Sequence, residues 1–294
     1  MFKIFLLLVS FFLEISVYSL EIKDNKIYDK FGNNVEIKKY EKIIIVDPAT
    51  IETMFMLGEG ENIIGIGRSD NTIIEPAEKV NKIQSIGTAL KPSFEKIVVL
   101  KPDLVILNNN SSGITDNLRK LKIPFFINDS TKELNLILKS IKIYSKLIDK
   151  EKEGEVLYNQ YLNKMLKIEK EKNKLKNLKG AIIYATSPLT SFSDKYLPGK
   201  VLKFLGVKNV TEDSIGNMPI ISYEHILESD LDFILLPKSI GSVENFLRAN
   251  PVLRKTKVAK KNNIFIVDSI NFLRGSPKIF DTIESVFLKL QNIK

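Results

Sequence analysis

Cysteine and tryptophan are absent from this 294-residue chain, and histidine occurs once, at His225. Such a set supplies no disulfide framework, no Cys-ligated cluster, and no zinc or manganese site built from several histidines. A hydrolytic triad is also excluded, because His225 has no nucleophile beside it and no G-x-S-x-G turn occurs. Gly65-Ile66-Gly67 lacks the third glycine of a dinucleotide fingerprint. Arginine is scarce, with Arg68, Arg119, Arg248, Arg254 and Arg274 the only ones among 44 basic residues. The lysines are scattered and form no nucleic-acid-binding motif, so the net charge of +9 reads as a solvated basic surface. These absences point away from an enzyme, a metal-ion site or cofactor of its own, and a nucleic-acid partner.

What is present is an ordinary globular composition, 44% hydrophobic and 27% charged, in a chain long enough for two lobes. The N-terminus differs. A short basic start, Met1-Phe2-Lys3, precedes the apolar run Ile4 to Leu13, and Val17-Tyr18-Ser19 offers small or tolerated residues for cleavage. Too short to span a bilayer and broken by Glu14, it reads as a cleavable secretory signal peptide over 1–19. With no Cys to carry a lipid anchor, the exported chain is expected to be freely soluble, monomeric and periplasmic.

One segment is written twice. Pro92 to Leu107 reads PSFEKIVVLKPDLVIL, and Ile221 to Leu236 reads ISYEHILESDLDFILL. Ser93 aligns with Ser222, Phe94 with Tyr223, Glu95 with Glu224 and Asp103 with Asp232, all at one offset. Each serine is a natural N-cap, which puts each glutamate in a first helical turn, where the helix dipole favours a carboxylate. Each Asp opens a four-residue apolar run that reads as a buried strand. A matched acidic point on each lobe suits a protein held at two places by a partner.

The rest of the pattern alternates. A hairpin is expected around Phe31-Gly32-Asn33-Asn34, then strands at 43–46, 63–66, 104–107 and 125–127 separated by helices, as in a parallel sheet covered on both faces. Ser130-Thr131-Lys132-Glu133 matches a capping box ahead of a helical pattern. A second pattern, free of proline, runs to about Leu178, roughly 42 Å at ~1.5 Å per residue. Strands return at Ala181, 233–236 and 264–267. The predicted architecture is α/β: two Rossmann-like lobes with parallel-rich sheets joined by one long α-helix, with a lobe over 20–149, the helix over 150–178 and a second lobe over 179–294.

The run IIIVDPATIETMFMLGEGENIIGIG, the pair Ile86-Gly87, the segment PSFEKIVVLKPDLVIL and the tail FLRGSPKIFDTIESVF closely resemble the helical-backbone class of ABC-transporter substrate-binding proteins. That class serves ferric siderophores, haem and cobalamin, and the resemblance covers almost the whole chain after the leader. It implies a carrier that takes an iron complex, siderophore or haem, in an inter-lobe cleft and delivers it to an importer permease, with cobalamin as the alternative cargo. It also implies that one surface glutamate on each lobe, here Glu95 and Glu224, meets arginines of the permease. An exported adhesin or receptor-like module with the same fold is the alternative from another class, and leaves both glutamates without a role.

Ligands of doubly wound sheets sit beyond the carboxyl ends of the strands. That rule selects Arg68, Thr88, Asn108 and Asn109 in the first lobe, and Phe192, Tyr196, Met218 and Arg274 in the second. Arg68 and Arg274 can hold anionic groups of a metal chelate or serve as ordinary loop arginines. Phe192, Tyr196 and Met218 can line an apolar wall, with Tyr196 alternatively a ligand to haem iron. His225, one residue after Glu224, is expected to face the partner or solvent rather than the ligand.

Overall fold

The computed structural model describes residues 20–69 and 72–293. The leader expected at 1–19 lies outside them. The chain divides into two compact units: the first runs through Thr131 and includes Asn135–Gln160, and the second comprises Lys132–Leu134 and the chain from Tyr161.

The first unit opens with β1 (Glu21–Lys23), β2 (Lys26–Tyr28) and β3 (Asn34–Glu36), an antiparallel meander with two turns where the sequence suggests one. The additional turn is Asp24-Asn25, whose φ values of 49° and 57° suit a two-residue hairpin loop. The second turn is held by the buried Asp29, whose carboxylate accepts hydrogen bonds from the backbone of Phe31 and Asn33 and, across the fold, of Ile127.

Next come β4 (Ile43–Ile45), α1 (Pro48–Met56), β5 (Ile63–Ile66), α2 (Ala77–Val80), β6 (Gln84–Ser85), α3 (Phe94–Leu100), β7 (Leu104–Asn108), α4 (Thr115–Lys120), β8 (Phe125–Asn128) and α5 (Leu134–Leu147). The strands form a wholly parallel sheet in the order β6-β5-β4-β7-β8. Its central strands are buried along their length because helices cover both faces, which is why they read as unbroken apolar runs. Gly67 is required at the end of β5, since a Cβ there would meet the Val46 carbonyl oxygen at 2.4 Å.

The capping box expected at Ser130 does not form. The Ser130 hydroxyl and amide donate to Asn128 Oδ1, residues 130–132 make a 3-10 turn, and Glu133 pairs with Lys200 instead. A long helix, α6 (Glu151–Glu171), tightens into a 3-10 turn over Lys172–Leu175. Its residues through Gln160 belong to the first unit and the remainder to the second.

The second unit continues with β9 (Lys179–Thr186), β10 (Leu189–Ser191), α7 (Leu197–Leu205), β11 (Lys208–Asn209), α8 (Tyr223–Glu228), β12 (Phe233–Pro237), α9 (Val243–Ala249), α10 (Lys257–Lys260), β13 (Ile264–Val267), α11 (Ser269–Arg274) and α12 (Ile279–Gln291). Strands β9, β12 and β13 are parallel neighbours, β10 turns back antiparallel on β9, and β11 lies along the start of β9. Both units are therefore α/β with parallel-rich sheets, and the long helix runs from one into the other.

The duplicated segment has the same structure in both copies. Ser93 and Ser222 cap α3 and α8, accepting from the amides of Lys96 and His225 at 3.3 and 3.1 Å. Strands β7 and β12 begin at Leu104 and Phe233, matched positions of the repeat. The conserved-in-both-copies Asp has a structural task. Asp103 donates its amide to the Lys42 carbonyl and takes the Glu41 and Lys42 amides on its carboxylate. Asp232 donates its amide to the Lys179 carbonyl and takes the Lys179 amide, with Lys257 Nζ at 2.9 Å on its other oxygen. Each carboxylate thus fixes the amino end of one parallel strand to its neighbour.

Removing either carboxylate leaves amides without their acceptor. Asp103→Ala and Asp232→Ala are each expected to cost about 0.5–1.5 kcal/mol per hydrogen bond lost in urea denaturation, whereas alanine at the exposed Glu95 or Glu224 should shift the midpoint far less. Equal losses at all four positions would contradict this division of labour.

A pH test follows from Tyr40. Burial, with Glu36 and Asp103 nearby, pushes its hydroxyl from 10.0 up to about 12. An acid whose folded value is raised stabilises the fold below its unfolded value and loses that contribution as pH rises to the folded one. Stability should fall between about pH 10 and about pH 12, and less steeply in Tyr40→Phe. An unchanged slope in that variant would refute the assignment.

Candidate functional site

In the first unit, the strand order reverses between β4 and β7, so the connections leave these strands toward opposite faces and open a crevice at their carboxyl ends. Two polar residues stand there. Asp47 follows β4 and caps α1, its Oδ2 accepting from the Thr50 amide and hydroxyl at 2.8 Å. Asn108 ends β7 and forms a reciprocal cap with Ser111, while its Nδ2 donates to the Ala89 carbonyl at 3.2 Å. That last bond ties the exposed turn carrying Thr88 to the end of β7. Asn109 donates to Asp129 Oδ1 at 2.6 Å, and its own Oδ1 is buried without a hydrogen-bond partner. Asp129 in turn pairs with Lys30 of the meander.

Beneath this end lies a polar network. Asn128 Nδ2 donates to Thr50 Oγ1 at 2.9 Å, and the Tyr144 hydroxyl lies 3.4 Å from the same oxygen. Burial pushes the Tyr144 hydroxyl well above the usual tyrosine range, so it stays protonated. Arg68 also comes off a strand end, but its guanidinium bonds to Asn81 Oδ1 at 2.9 Å and to the Val80 carbonyl, at the C-terminal end of α2. There a cation complements the helix dipole.

The corresponding end of the second unit is more aromatic. Phe192 is buried and stands between two tyrosines, its ring 5.4 Å from Tyr196 in a stacked arrangement and 5.3 Å from Tyr184 in a tilted one. Phe192 is therefore a core residue that supports its neighbours, and the accessible members are Tyr184 and the half-buried Tyr196. Tyr184 escapes sequence reading because AIIY looks like a strand buried on both faces. The available signal is its place as the last apolar residue before Ala-Thr-Ser-Pro. Together with Thr186, Ser187, Ser239, Ile240 and Asn245 it lines a recess of about 400 Å³ at the carboxyl ends of β9 and β12.

Met218 is exposed on a segment that runs beside β10, where the Ser191 and Ser193 amides donate to the Pro219 and Asn217 carbonyls. Lys238 and Asp268, at the ends of β12 and β13, are 3.4 Å apart. Arg274 is half-buried in the last turn of α11. A recess of about 700 Å³ in the first unit lies at the opposite, amino end of the strands, lined by Lys39, Glu59, Asn62 and Lys82 among others. Volume alone does not locate the site.

Glu95 and Glu224 lie elsewhere, exposed in the first turns of α3 and α8. Hydrogen bonds from its own amide and from the Ser93 hydroxyl, at 2.9 Å, hold the Glu95 carboxyl below its usual range. His225 is exposed, with Nε2 3.3 Å from the Val210 carbonyl oxygen. Among the described residues no three His, Cys, Asp or Glu side chains gather as a metal-ion site, and no helix is long and apolar enough to cross a membrane.

Two α/β units with parallel-rich sheets, and a long helix that runs from one into the other, make up the chain. Residues 43–270 match the periplasmic binding protein family, and the chain belongs to it. The petrobactin-binding protein YclQ of Bacillus subtilis is 22% identical over 252 residues, covering 82% of this chain and 78% of that protein. Among solved structures, the periplasmic vitamin B12-binding protein BtuF of Vibrio cholerae matches with a TM-score of 0.72 at 19% identity, over 86% of this chain and 97% of that one. The periplasmic haem-binding protein RhuT of Roseiflexus sp. RS-1 matches with a TM-score of 0.71 at 20% identity, over 86% and 98%. Those three proteins bind petrobactin, vitamin B12 and haem respectively, and this chain shares their family and fold.

The aromatic row yields a direct check. Phe192→Ala should cost about 3–5 kcal/mol, as expected for a buried ring, while Tyr184→Ala should shift the denaturation midpoint far less. The reverse order would contradict the core assignment of Phe192.

Proposed function

We propose that this protein captures an iron complex, a ferric siderophore or haem, in the periplasm and hands it to the permease of an ABC importer. The observation that carries this reading is family membership together with the ligands of proteins built on the same fold, petrobactin, haem and vitamin B12. The Tyr184–Phe192–Tyr196 row supports it, because aromatic rings backed by a buried core residue suit a flat or conjugated ligand. Thr88, Asn108 and Asn109 supply polar groups on the first unit's side of the reading, and Arg274 a cation on the second. Arg68 contributes through the loop it anchors, given its bonds to Asn81 and Val80. Cobalamin is the second reading, favoured by the fit to the vitamin B12-binding fold. Glu95 and Glu224 are the proposed contacts to the permease, one on each unit.

The test is a screen of the purified protein against haemin, ferric siderophores and cobalamin by absorbance and by quenching of tyrosine emission, the chain having no Trp. A Soret shift with haemin assigns haem, and saturable quenching by a ferric siderophore assigns that class. Tyr184→Ala should weaken the successful ligand by about tenfold, the loss of one stacking contact of roughly 1.4 kcal/mol. Failure with all three ligands would overturn the proposal.

A further inference from the structure

Large apolar side chains are seldom exposed on this lysine-rich chain, and nearly half of those exposed among the described residues fall in the stretches 90–99 and 215–227. These stretches contain Glu95 and Glu224. Around Glu95, Leu90 is 65% exposed and Val99 is 75% exposed. Val99 lies four residues beyond Glu95 on α3, hence on the same face of the helix. Around Glu224, Ile220 is 70% exposed and Leu227 is 42% exposed. Leu227 lies three residues beyond Glu224 on α8, again on the same face. In both units a carboxylate at a helix start therefore has an exposed aliphatic side chain in the loop before it and another one turn after it.

The two collars are not copies in sequence. Leu90 and Val99 align in the repeat with Pro219 and Glu228, so different positions supply the same surround in each copy. That convergence is difficult to attribute to duplication alone. An exposed glutamate by itself gives a weak and salt-screened contact, about 0–1 kcal/mol. A ring of apolar side chains that excludes water on contact raises the strength of the central ion pair and adds buried apolar area.

Resting on the proposed permease contact, we infer that Leu90 with Val99, and Ile220 with Leu227, form apolar collars that dock onto the importer permease around Glu95 and Glu224. The partner surface this fits presents, for each unit, one cationic side chain set among apolar residues at the water-facing side of a membrane protein. The collars give the contact its affinity and its resistance to salt, and the glutamates give it orientation.

The experiment measures binding of the full protein to the cognate permease and ATPase, purified together and reconstituted in nanodiscs, at low and at high salt. Leu90→Ser with Val99→Ser, and separately Ile220→Ser with Leu227→Ser, are compared with the wild type, thermal melts verifying that each pair folds. Each pair should weaken binding by about tenfold, the equivalent of one buried aliphatic side chain, and make the remaining binding much more salt-sensitive. Collar variants that bind like the wild type at both salt levels would overturn the inference and leave the permease reading intact. A wild type that does not bind the nanodisc at all would overturn both.

Discussion

Each unit depends on one carboxylate that joins two parallel strands at their amino ends. Asp103 ties the start of β7 to Lys42 ahead of β4, and Asp232 ties the start of β12 to Lys179 in β9. Parallel pairing lacks the short hairpin that sets register in antiparallel sheets, so the alignment has to come from elsewhere. Here it comes from a side chain that satisfies the neighbouring strand's first free amide. The register that follows, Ile43 opposite Leu104 and Gly180 opposite Phe233, carries through to the carboxyl ends. There it places Asn108 beside the crevice of the first unit and brings Thr186 and Ser239 to one recess in the second.

The same sixteen-residue segment that carries this clamp also carries, one helix earlier, Ser93-Phe94-Glu95 and Ser222-Tyr223-Glu224. Register and surface are thus linked through a short span of chain. The buried residues Ile97 and Ile226 seat each helix on its sheet, and the glutamate two residues earlier is left in solvent. At Glu95 the carboxylate costs the fold little, since the helix start and the Ser93 hydroxyl both favour its charged form. An outward acidic group on a rigid support is what a docking contact requires.

Much of this was legible in the sequence because it is local or periodic. Unbroken apolar runs identify the strands, Ser-aromatic-Glu identifies the helix starts, and the shared offset relates the two units. The parts that were not legible depend on contacts between distant residues. Ser130 matches a capping box, yet Asn128 takes its hydroxyl. Arg68 has the look of a ligand clamp, yet Asn81 lies within its reach. Tyr184 is hidden within a strand whose preceding residues are core, and only its tilted ring contact with Phe192 marks it. Asp24-Asn25 is a local signal, two residues that tolerate positive φ between short strands, and its turn could have been read from sequence.

The central claim is that the two units meet a membrane partner through Glu95 and Glu224 while the ligand is held elsewhere. Uptake of radiolabelled ligand into proteoliposomes containing the permease and ATPase tests it most directly, using the Glu95→Ala, Glu224→Ala double variant. The account predicts that uptake collapses while the affinity for ligand in solution stays at the wild-type value. Wild-type uptake by the double variant would contradict it.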